Sequence, residues 1–170
     1  MAERVDPVLS PLPSSEAKAV ETMARTIWPS AYSQIIAAEQ IEYMLGWMYS
    51  PEKICTEIER DGVAWFWIKS RGKRIGFLSG GPLSDDLDFP LHKIYLLPER
   101  QGEHFGSHSM NELFVYVEAL GGKRISLRVN RENTIALNFY ERKGFQLTGM
   151  DQADIGGGFI MDDYLLTKPL

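Results

Sequence analysis

Hydrophobic side chains change their spacing near residue 63. Before that point they recur three and four positions apart, as in amphipathic helices, and after Val63 they alternate, as in strands. The helical spacing returns twice, after Gly102 and after Asn133. The pattern predicts helices at 15–28, 33–50, 51–60, 103–120 and 133–144, and strands within 5–15 and at 63–70, 74–81, 91–98, 124–130, 145–150 and 158–168.

The order of these elements predicts the fold class. Helices come first, then a meander of strands, then strands that alternate with helices, which predicts an α/β protein built round one mixed sheet. No linker, internal repeat or low-complexity tract divides the 170 residues, and this length suits one domain. We therefore expect residues 1–170 to form a single domain.

Composition and charge exclude several classes of function. A net charge of -5 and a pI near 5.2 disfavour a nucleic-acid partner, because phosphate binding needs clustered lysine and arginine. No window reaches the apolar length of about 18 residues that spans a bilayer, and no signal peptide is recognisable, so no membrane partner is expected. The single cysteine, Cys55, cannot form an internal disulfide, which predicts a reducing, cytoplasmic location.

The segment PERQGEHFGS, residues 98–107, joins a predicted strand to a predicted helix. Gly102 and Gly106 allow a ligand to approach the backbone, and the first N–H groups of a helix have no partner within it. Such a turn suits a phosphate, although the same residues also suit a plain turn with a helix cap. The Walker loop is excluded because Ser107 and His108 follow Gly106, and the dinucleotide fingerprint is excluded because it needs three glycines.

Two motifs in the second half of the chain resemble the GNAT family of N-acetyltransferases. The first is an acetyl-CoA-binding signature of Gln or Arg, two residues, Gly, one residue, then Gly or Ala, and it falls on Gln101, His104 and Gly106. The second is an Asn, an Ala three later, a Tyr seven later, then Gly-Phe. Its positions are Asn133, Ala136, Tyr140, Gly144 and Phe145. The resemblance covers residues 63–170 well, and it implies a mostly antiparallel central sheet flanked by helices.

The resemblance implies an enzyme that moves an acetyl group from acetyl-CoA to a primary amine by direct attack. In this family the strand before the glycine loop pairs with the pantetheine arm, which would assign the backbone of Tyr95 and Leu97, together with Asn133, to the arm. Tyr140 is the implied catalytic residue, a general acid for the thiolate leaving group. The implied coenzyme-binding residues are Tyr95, Leu96, Leu97, Gln101, Gly102, Glu103, His104, Phe105, Gly106, Ser107, Asn133 and Tyr140.

The three histidines have different expected roles. His104 stands where the family usually has glycine; we expect a helical φ there, with the imidazole meeting a phosphate, facing solvent or weakening coenzyme binding. His92 precedes the loop on the strand, but its parity opposes Leu97, so it faces the other side of the sheet unless a bulge intervenes. The sequence identifies no general base. A metal site from these histidines and His108 lacks cysteines or paired carboxylates, so no metal is expected.

The acceptor is expected to be a small-molecule amine such as a polyamine. Acidic residues on the second helix and near the last strand would suit a cation, and the final strand is similar to that of the polyamine-acetylating PaiA-like branch. They are Glu39, Glu42, Asp151, Asp154, Asp162 and Asp163, for which a solvated surface is the other interpretation. A protein or peptide N-terminal acetyltransferase and a non-catalytic acetyl-CoA sensor stay open as alternatives. An exposed strand edge near the carboxyl end is compatible with a homodimer.

Overall fold

The computed structural model describes residues 8–170, which contain five α-helices and seven strands. The helices are α1 Ala17–Tyr32, α2 Ala38–Met48, α3 Pro51–Glu59, α4 Phe105–Ala119 and α5 Thr134–Arg142. The strands are β1 Leu9–Pro11, β2 Ala64–Ser70, β3 Lys73–Gly80, β4 Asp88–Leu96, β5 Arg124–Asn130, β6 Gln146–Gly156 and β7 Phe159–Pro169. None of these helices has the length and apolar character needed to cross a bilayer.

All seven strands join one sheet in the order β1-β2-β3-β4-β5-β7-β6. Neighbouring strands are antiparallel except β4 and β5, which are parallel and are connected through α4. This confirms the predicted α/β class with one mixed, mostly antiparallel sheet flanked by helices. The edges of the sheet are β1 and β6, and the homodimer expected from an exposed edge stays a prediction.

Helices cover both faces of the sheet. Helix α4 packs against β4 and β5 on one face, and α1, α2 and α3 pack over β2 and β3 on the other. Full burial of a large apolar side chain stabilises a fold by roughly 1.5–3 kcal/mol, so both layers hold the central strands in place. The first core includes Phe89, Met110, Leu113, Val117 and Ile125, and the second includes Trp28, Ile54, Trp65, Trp67 and Phe77.

Several boundaries differ from the predicted ones. Strand β4 begins at Asp88 rather than at residue 91, because its first residues pair in parallel with β5. Strand β6 continues to Gly156 instead of ending at Met150, because it pairs with β7 along nearly its whole length. Asp151 and Asp154 therefore lie on a strand and not in a loop. The predicted first strand is β1, and the part of that prediction before residue 8 lies outside the described residues.

Candidate active site

Strands β4 and β5 separate toward their carboxyl ends. The last paired residues are Leu91 and Leu127, after which the strands continue to Leu96 and Asn130 without pairing with each other. Strands that stop pairing expose backbone N–H and C=O groups to the gap between them. The gap can therefore hold an extended ligand by main-chain hydrogen bonds.

Alternation along β4 decides which backbone groups face this gap. The N–H of Leu97 donates to the carbonyl of Ile75 on β3 at 2.8 Å. Tyr95, two residues earlier, turns its backbone toward β3 in the same way, which leaves Ile94 and Leu96 facing the gap. The backbone of Tyr95 and Leu97, expected to pair with the pantetheine arm, is therefore engaged by β3, and the backbone groups left free toward the gap are those of Ile94 and Leu96.

The turn after β4 presents a row of unpaired amides. Six consecutive N–H groups, from Gly102 to Ser107, have no acceptor among residues 8–170. They lie at the amino end of α4, where the helix dipole adds partial positive charge. A Cβ on Gly106 would meet Phe139 and Leu96 at the ordinary distances of 3.6 and 3.7 Å, so packing does not require a glycine at this position. The missing side chain instead leaves space for a ligand beside the backbone. An anion such as a diphosphate fits this row of donors.

His104 has a strained backbone within this turn. Its φ of 64° and ψ of 9° lie in the left-handed region, which corrects the expectation of a helical φ. That region costs an L-residue roughly 1–2 kcal/mol, although histidine enters it more often than most residues do. The chain therefore keeps the backbone conformation of a glycine while it carries an imidazole, and this side chain is exposed on the wall of the cleft.

Replacing His104 by glycine is expected to stabilise the ligand-free protein. The change removes the left-handed strain and adds a smaller entropic cost of about 0.5–1 kcal/mol, which leaves a gain of up to about 1 kcal/mol. For a chain of this size the midpoint of thermal unfolding should rise by about 2–4 °C. His108→Ala, a substitution at an exposed position within α4, is the control. An unchanged or lower midpoint in His104→Gly would show that the left-handed conformation of His104 is not strained.

Helix α5 carries its motif residues toward the gap. The Asn133 side chain caps the helix by accepting from the N–H of Ala136 at 3.2 Å. Tyr140 lies two turns later on the same face, lines the cleft and packs against Phe145. Burial raises the pKa of the Tyr140 phenol, and the nearby phenol of Tyr32 adds to that shift. Tyr140 therefore stays protonated at ordinary assay pH and is able to donate a hydrogen bond.

Tyr32 is a site residue that the sequence reasoning missed. It ends α1, four residues beyond the predicted end of that helix, and its hydroxyl lies 2.7 Å from that of Tyr95. Burial raises the pKa of both phenols, so two neutral hydroxyls share this hydrogen bond. The side chains of Asn133 and Asp163 lie close enough to Tyr32 to shift its pKa. Helix α1, helix α5 and the sheet therefore meet at the gap.

His92 reaches the cleft through a bulge in β4. The register between β3 and β4 skips one residue at His92, which reverses the alternation of the strand. Strand alternation alone predicts that His92 faces the other side of the sheet, and this bulge brings its side chain to the side of the gap. Its Nε2 donates to the carbonyl of Gly81 at 2.8 Å, which leaves the lone pair on Nδ1. Desolvation in the cleft lowers the pKa of His92, so the ring is neutral at pH 7.

Asp163 is a buried carboxylate without a cationic partner. It is 4% exposed, and no lysine or arginine among residues 8–170 forms an ion pair with it. Its neighbours differ, because Asp162 pairs with Arg131 and Asp151 pairs with Arg128. Burial raises the pKa of Asp163, against the lowering effect of Arg128. Since Asp163 lines the cleft, it offers a carboxylate to an ammonium group.

The other acids expected around the acceptor lie elsewhere. Glu42 is exposed and pairs with Arg25 on α1 at 2.9 Å. Glu39 and Asp154 are also exposed, and neither lines the cleft. The solvated-surface interpretation therefore holds for these three carboxylates.

A single cleft of about 1280 Å³ brings these groups together. Of the residues predicted to bind the coenzyme, Leu97 and Glu103 lie outside it, because Leu97 packs in the core beneath α1–α3 and Glu103 pairs with Arg100 at 2.7 Å. Within residues 8–170, no three His, Cys, Asp or Glu side chains cluster as metal ligands. The predicted residues that line the cleft are Tyr95, Leu96, Gln101, Gly102, His104, Phe105, Gly106, Ser107, Asn133 and Tyr140.

The part of the chain that contains most of the cleft residues matches a known protein family. Residues 20–145 match the sequence profile of the Acetyltransferase (GNAT) family. The chain belongs to that family. The match confirms the resemblance drawn from the two motifs, and it identifies this GNAT protein as an acetyl-CoA-dependent N-acetyltransferase.

Individual relatives agree with the GNAT assignment. A spermidine N(1)-acetyltransferase from Thermoplasma acidophilum is 27% identical over 144 residues, which cover 82% of this chain and 86% of that protein. The solved PaiA N-acetyltransferase from the same organism, in complex with coenzyme A, has a TM-score of 0.80 at 23% identity and covers 95% of this chain and 98% of its own. A spermidine N-acetyltransferase SpeG chimera from Vibrio cholerae and hSSAT has a TM-score of 0.72 at 19% identity, with coverage of 95% and 93%. These structural likenesses establish the GNAT fold.

Proposed function

We propose that this GNAT protein transfers the acetyl group of acetyl-CoA to the primary amine of a small molecule. The unpaired amides from Gly102 to Ser107 are the observation that carries the proposal, because they supply donors for a diphosphate beside strands that separate. The backbone of Ile94 and Leu96 would hold the pantetheine arm in the gap. Tyr140 would then lie beside the sulfur of the thioester.

A small acceptor fits the cleft better than an extended peptide does. The β6–β7 hairpin folds onto α2, where Gln40 Nε2 donates to the carbonyl of Ile160 at 3.1 Å and the Tyr43 hydroxyl donates to the carbonyl of Ile155 at 2.7 Å. These bonds restrict the side of the cleft that a peptide would need. Polyamines are one candidate class, because spermidine acetylation appears in the names of two matched proteins.

In the proposed reaction the acceptor binds Asp163 as an ammonium, loses one proton to solvent through His92 and attacks the thioester carbonyl as a neutral amine. The nitrogen then loses its second proton and the coenzyme sulfur leaves as a thiolate. His92 takes the proton of the amine, because its Nδ1 lone pair is free and its lowered pKa keeps the ring neutral at pH 7. Tyr140 donates a hydrogen bond to the departing sulfur. A phenol with a pKa raised above 10 is a weaker acid than a thiol of about 8.5, so Tyr140 stabilises the thiolate without giving up its proton.

Replacing Asp163 by asparagine is expected to raise the KM of the amine by about ten- to a hundredfold. A hydrogen bond to a charged group is worth roughly 1.5–3 kcal/mol, and the amide of asparagine removes the charge while it keeps the shape. The affinity for acetyl-CoA should change little, since Asp163 acts on the acceptor. Steady-state kinetics with the best acceptor and a coenzyme titration measure the two quantities separately.

The neighbouring Asp162 provides the matched control for this change. Its carboxylate is solvent-exposed and pairs with Arg131 at 3.4 Å, and such surface pairs contribute about 0–1 kcal/mol. Asp162→Asn should therefore leave the KM of the amine within about twofold of wild type. Equal shifts in the two variants, or no shift in Asp163→Asn, would remove Asp163 from acceptor binding.

Thiol release from acetyl-CoA tests the proposed function itself. The panel contains polyamines, monoamines, amino acids and peptides with free amino termini. Turnover with small amines and not with peptides is the expected result. A preference for peptides would support an N-terminal acetyltransferase, and tight coenzyme binding without release on any acceptor would support a sensor module.

A further inference from the structure

Lys93 is a buried lysine that lines the cleft. The residue is 6% exposed, and its Nζ lies 5.3 Å from the ring of Tyr49 and 5.2 Å from the ring of Trp65. Among residues 8–170 this ammonium has neither a hydrogen bond nor an ion pair. A buried charge is costly unless an opposite charge or an acceptor meets it. The position therefore lacks an acceptor group.

Ser79 is a second buried donor at the same place. It is the cross-strand partner of Lys93 between β3 and β4, so the two side chains share one face of the sheet. Ser79 is fully buried, and its hydroxyl has no hydrogen-bond partner. Ser79 does not line the cleft, so Lys93 is the group that a ligand would meet. Since buried polar groups in native proteins are nearly always paired, the unpaired ammonium of Lys93 indicates that a ligand supplies the acceptor.

Two charged residues, Glu57 and Lys53, act on Lys93. Glu57 lies nearby, with its Oε2 accepting from Trp65 Nε1 at 3.0 Å. Burial lowers the pKa of Lys93, Glu57 opposes that shift, and Lys53 reinforces it. His92 on the same strand is neutral at pH 7. Lys93 and Glu57 line the cleft and Lys53 does not. A carboxylate oxygen of Glu57 already accepts from the Trp65 indole, so the ammonium of Lys93 is the group that an acceptor on a ligand would meet here.

The opposite end of the acceptor region is negative. Asp163 is unpaired there, whereas the adjacent arginines are engaged by Asp151 and Asp162. Lys93 lies on β4 and Asp163 on β7, with β5 between them. Two strand spacings of about 4.8 Å separate the charges by roughly 10 Å or more. Lys93 and Asp163 thus place opposite charges on different strands of the cleft wall, which also includes the apolar side chains of Ile27, Met44, Met48 and Met161.

We propose that the acceptor is an aminocarboxylate, whose ammonium end binds Asp163 and whose carboxylate binds Lys93. The inference rests on the proposed acetyl transfer and narrows its substrate class. A methylene chain between the two groups suits the apolar side chains in the cleft wall. A polyamine would instead bring a second ammonium against Lys93, and like charges at a buried site repel strongly. Polyamines are therefore expected to be the poorer acceptors.

Matched acceptors and matched variants test this proposal. The acceptors are ω-aminohexanoate and ω-aminooctanoate, compared with diaminohexane, diaminooctane and spermidine. The variants are Lys93→Met, which removes the charge and keeps the length, Lys93→Arg, which restores a charge, and Lys73→Met, which removes an exposed lysine at the start of β3. Thiol release gives kcat/KM for each pair, and thermal unfolding reports whether each variant is folded.

The wild-type protein should prefer the aminocarboxylate to the diamine of equal length. Lys93→Met should lower kcat/KM for the aminocarboxylate by about ten- to a hundredfold, with the diamine unchanged or improved, because one charge-assisted hydrogen bond is lost. Lys73→Met should match wild type, and Lys93→Arg should retain the preference.

A wild-type preference for diamines or spermidine would overturn the inference, as would an equal loss on both acceptors in Lys93→Met. If Lys93→Met does not fold, the ratio of kcat/KM for the aminocarboxylate and the diamine, measured in the wild type and in Lys93→Arg, still tests the inference. An absence of thiol release with every amine would instead overturn the proposed function, which keeps the two failures distinct.

Discussion

We expect turnover to fall by about 10²–10³-fold when Tyr140 is replaced by phenylalanine, the range for removing one hydrogen-bond donor from a developing negative charge. Burial raises the pKa of this phenol, and the second phenol at Tyr32 strengthens the effect, so Tyr140 carries its proton throughout the usual assay range. Phenylalanine keeps the ring contact with Phe145 and removes only the hydroxyl. The loss should therefore appear in kcat and not in coenzyme affinity.

Tyr116→Phe is the matched control for this variant. Tyr116 lies on α4, packs against Phe66 and Phe89, and does not line the cleft. Its kcat should stay close to the wild-type value, and both variants should bind coenzyme A with the wild-type dissociation constant. Equal turnover in Tyr140→Phe and wild type would remove Tyr140 from the mechanism.

Replacing His92 by glutamine is expected to lower kcat at pH 7 by about 10²-fold or more, as for the loss of a general base. Glutamine still has an amide N–H that can donate to the carbonyl of Gly81, so the bulge keeps its hydrogen bond while the basic nitrogen is lost. The pH dependence of kcat gives a second test of His92 as the base. Wild-type activity should fall as the pH drops through the pKa of His92, which lies below 6.5, because a protonated ring cannot accept a proton.

The acid limb of that profile should disappear in His92→Gln. His108→Gln is the control, because His108 is exposed on α4 and lies outside the cleft. A His92→Gln enzyme that keeps both its rate and its acid limb would show that another group takes the proton.

Local pattern was enough to predict most helices and strands of this protein. Gly144 follows α5 with a left-handed φ of 91°, as is typical of a glycine after a helix, and Asn133 caps α5 where the motif places it. Strand β6 was predicted too short because its polar residues and glycines are typical of a loop. Pairing with β7 supplies the hydrogen bonds that override this local preference.

The site could be predicted only in part, because burial and register arise from distant segments. His92 enters the cleft through a bulge that depends on β3, and a strand read alone gives no sign of it. Lys93 and Asp163 are ordinary surface residues by composition. Asp163 did carry one usable signal, since strand alternation places it on the same face of β7 as Met161 and Leu165.

A crystal structure with bound coenzyme A is the measurement that tests the central claim most directly. We expect the diphosphate to bind the amides from Gly102 to Ser107 and the pantetheine arm to pair with Ile94 and Leu96. The Tyr140 hydroxyl should lie within about 3.5 Å of the sulfur. A diphosphate bound elsewhere, or a Tyr140 hydroxyl out of hydrogen-bond reach of the sulfur, would contradict it.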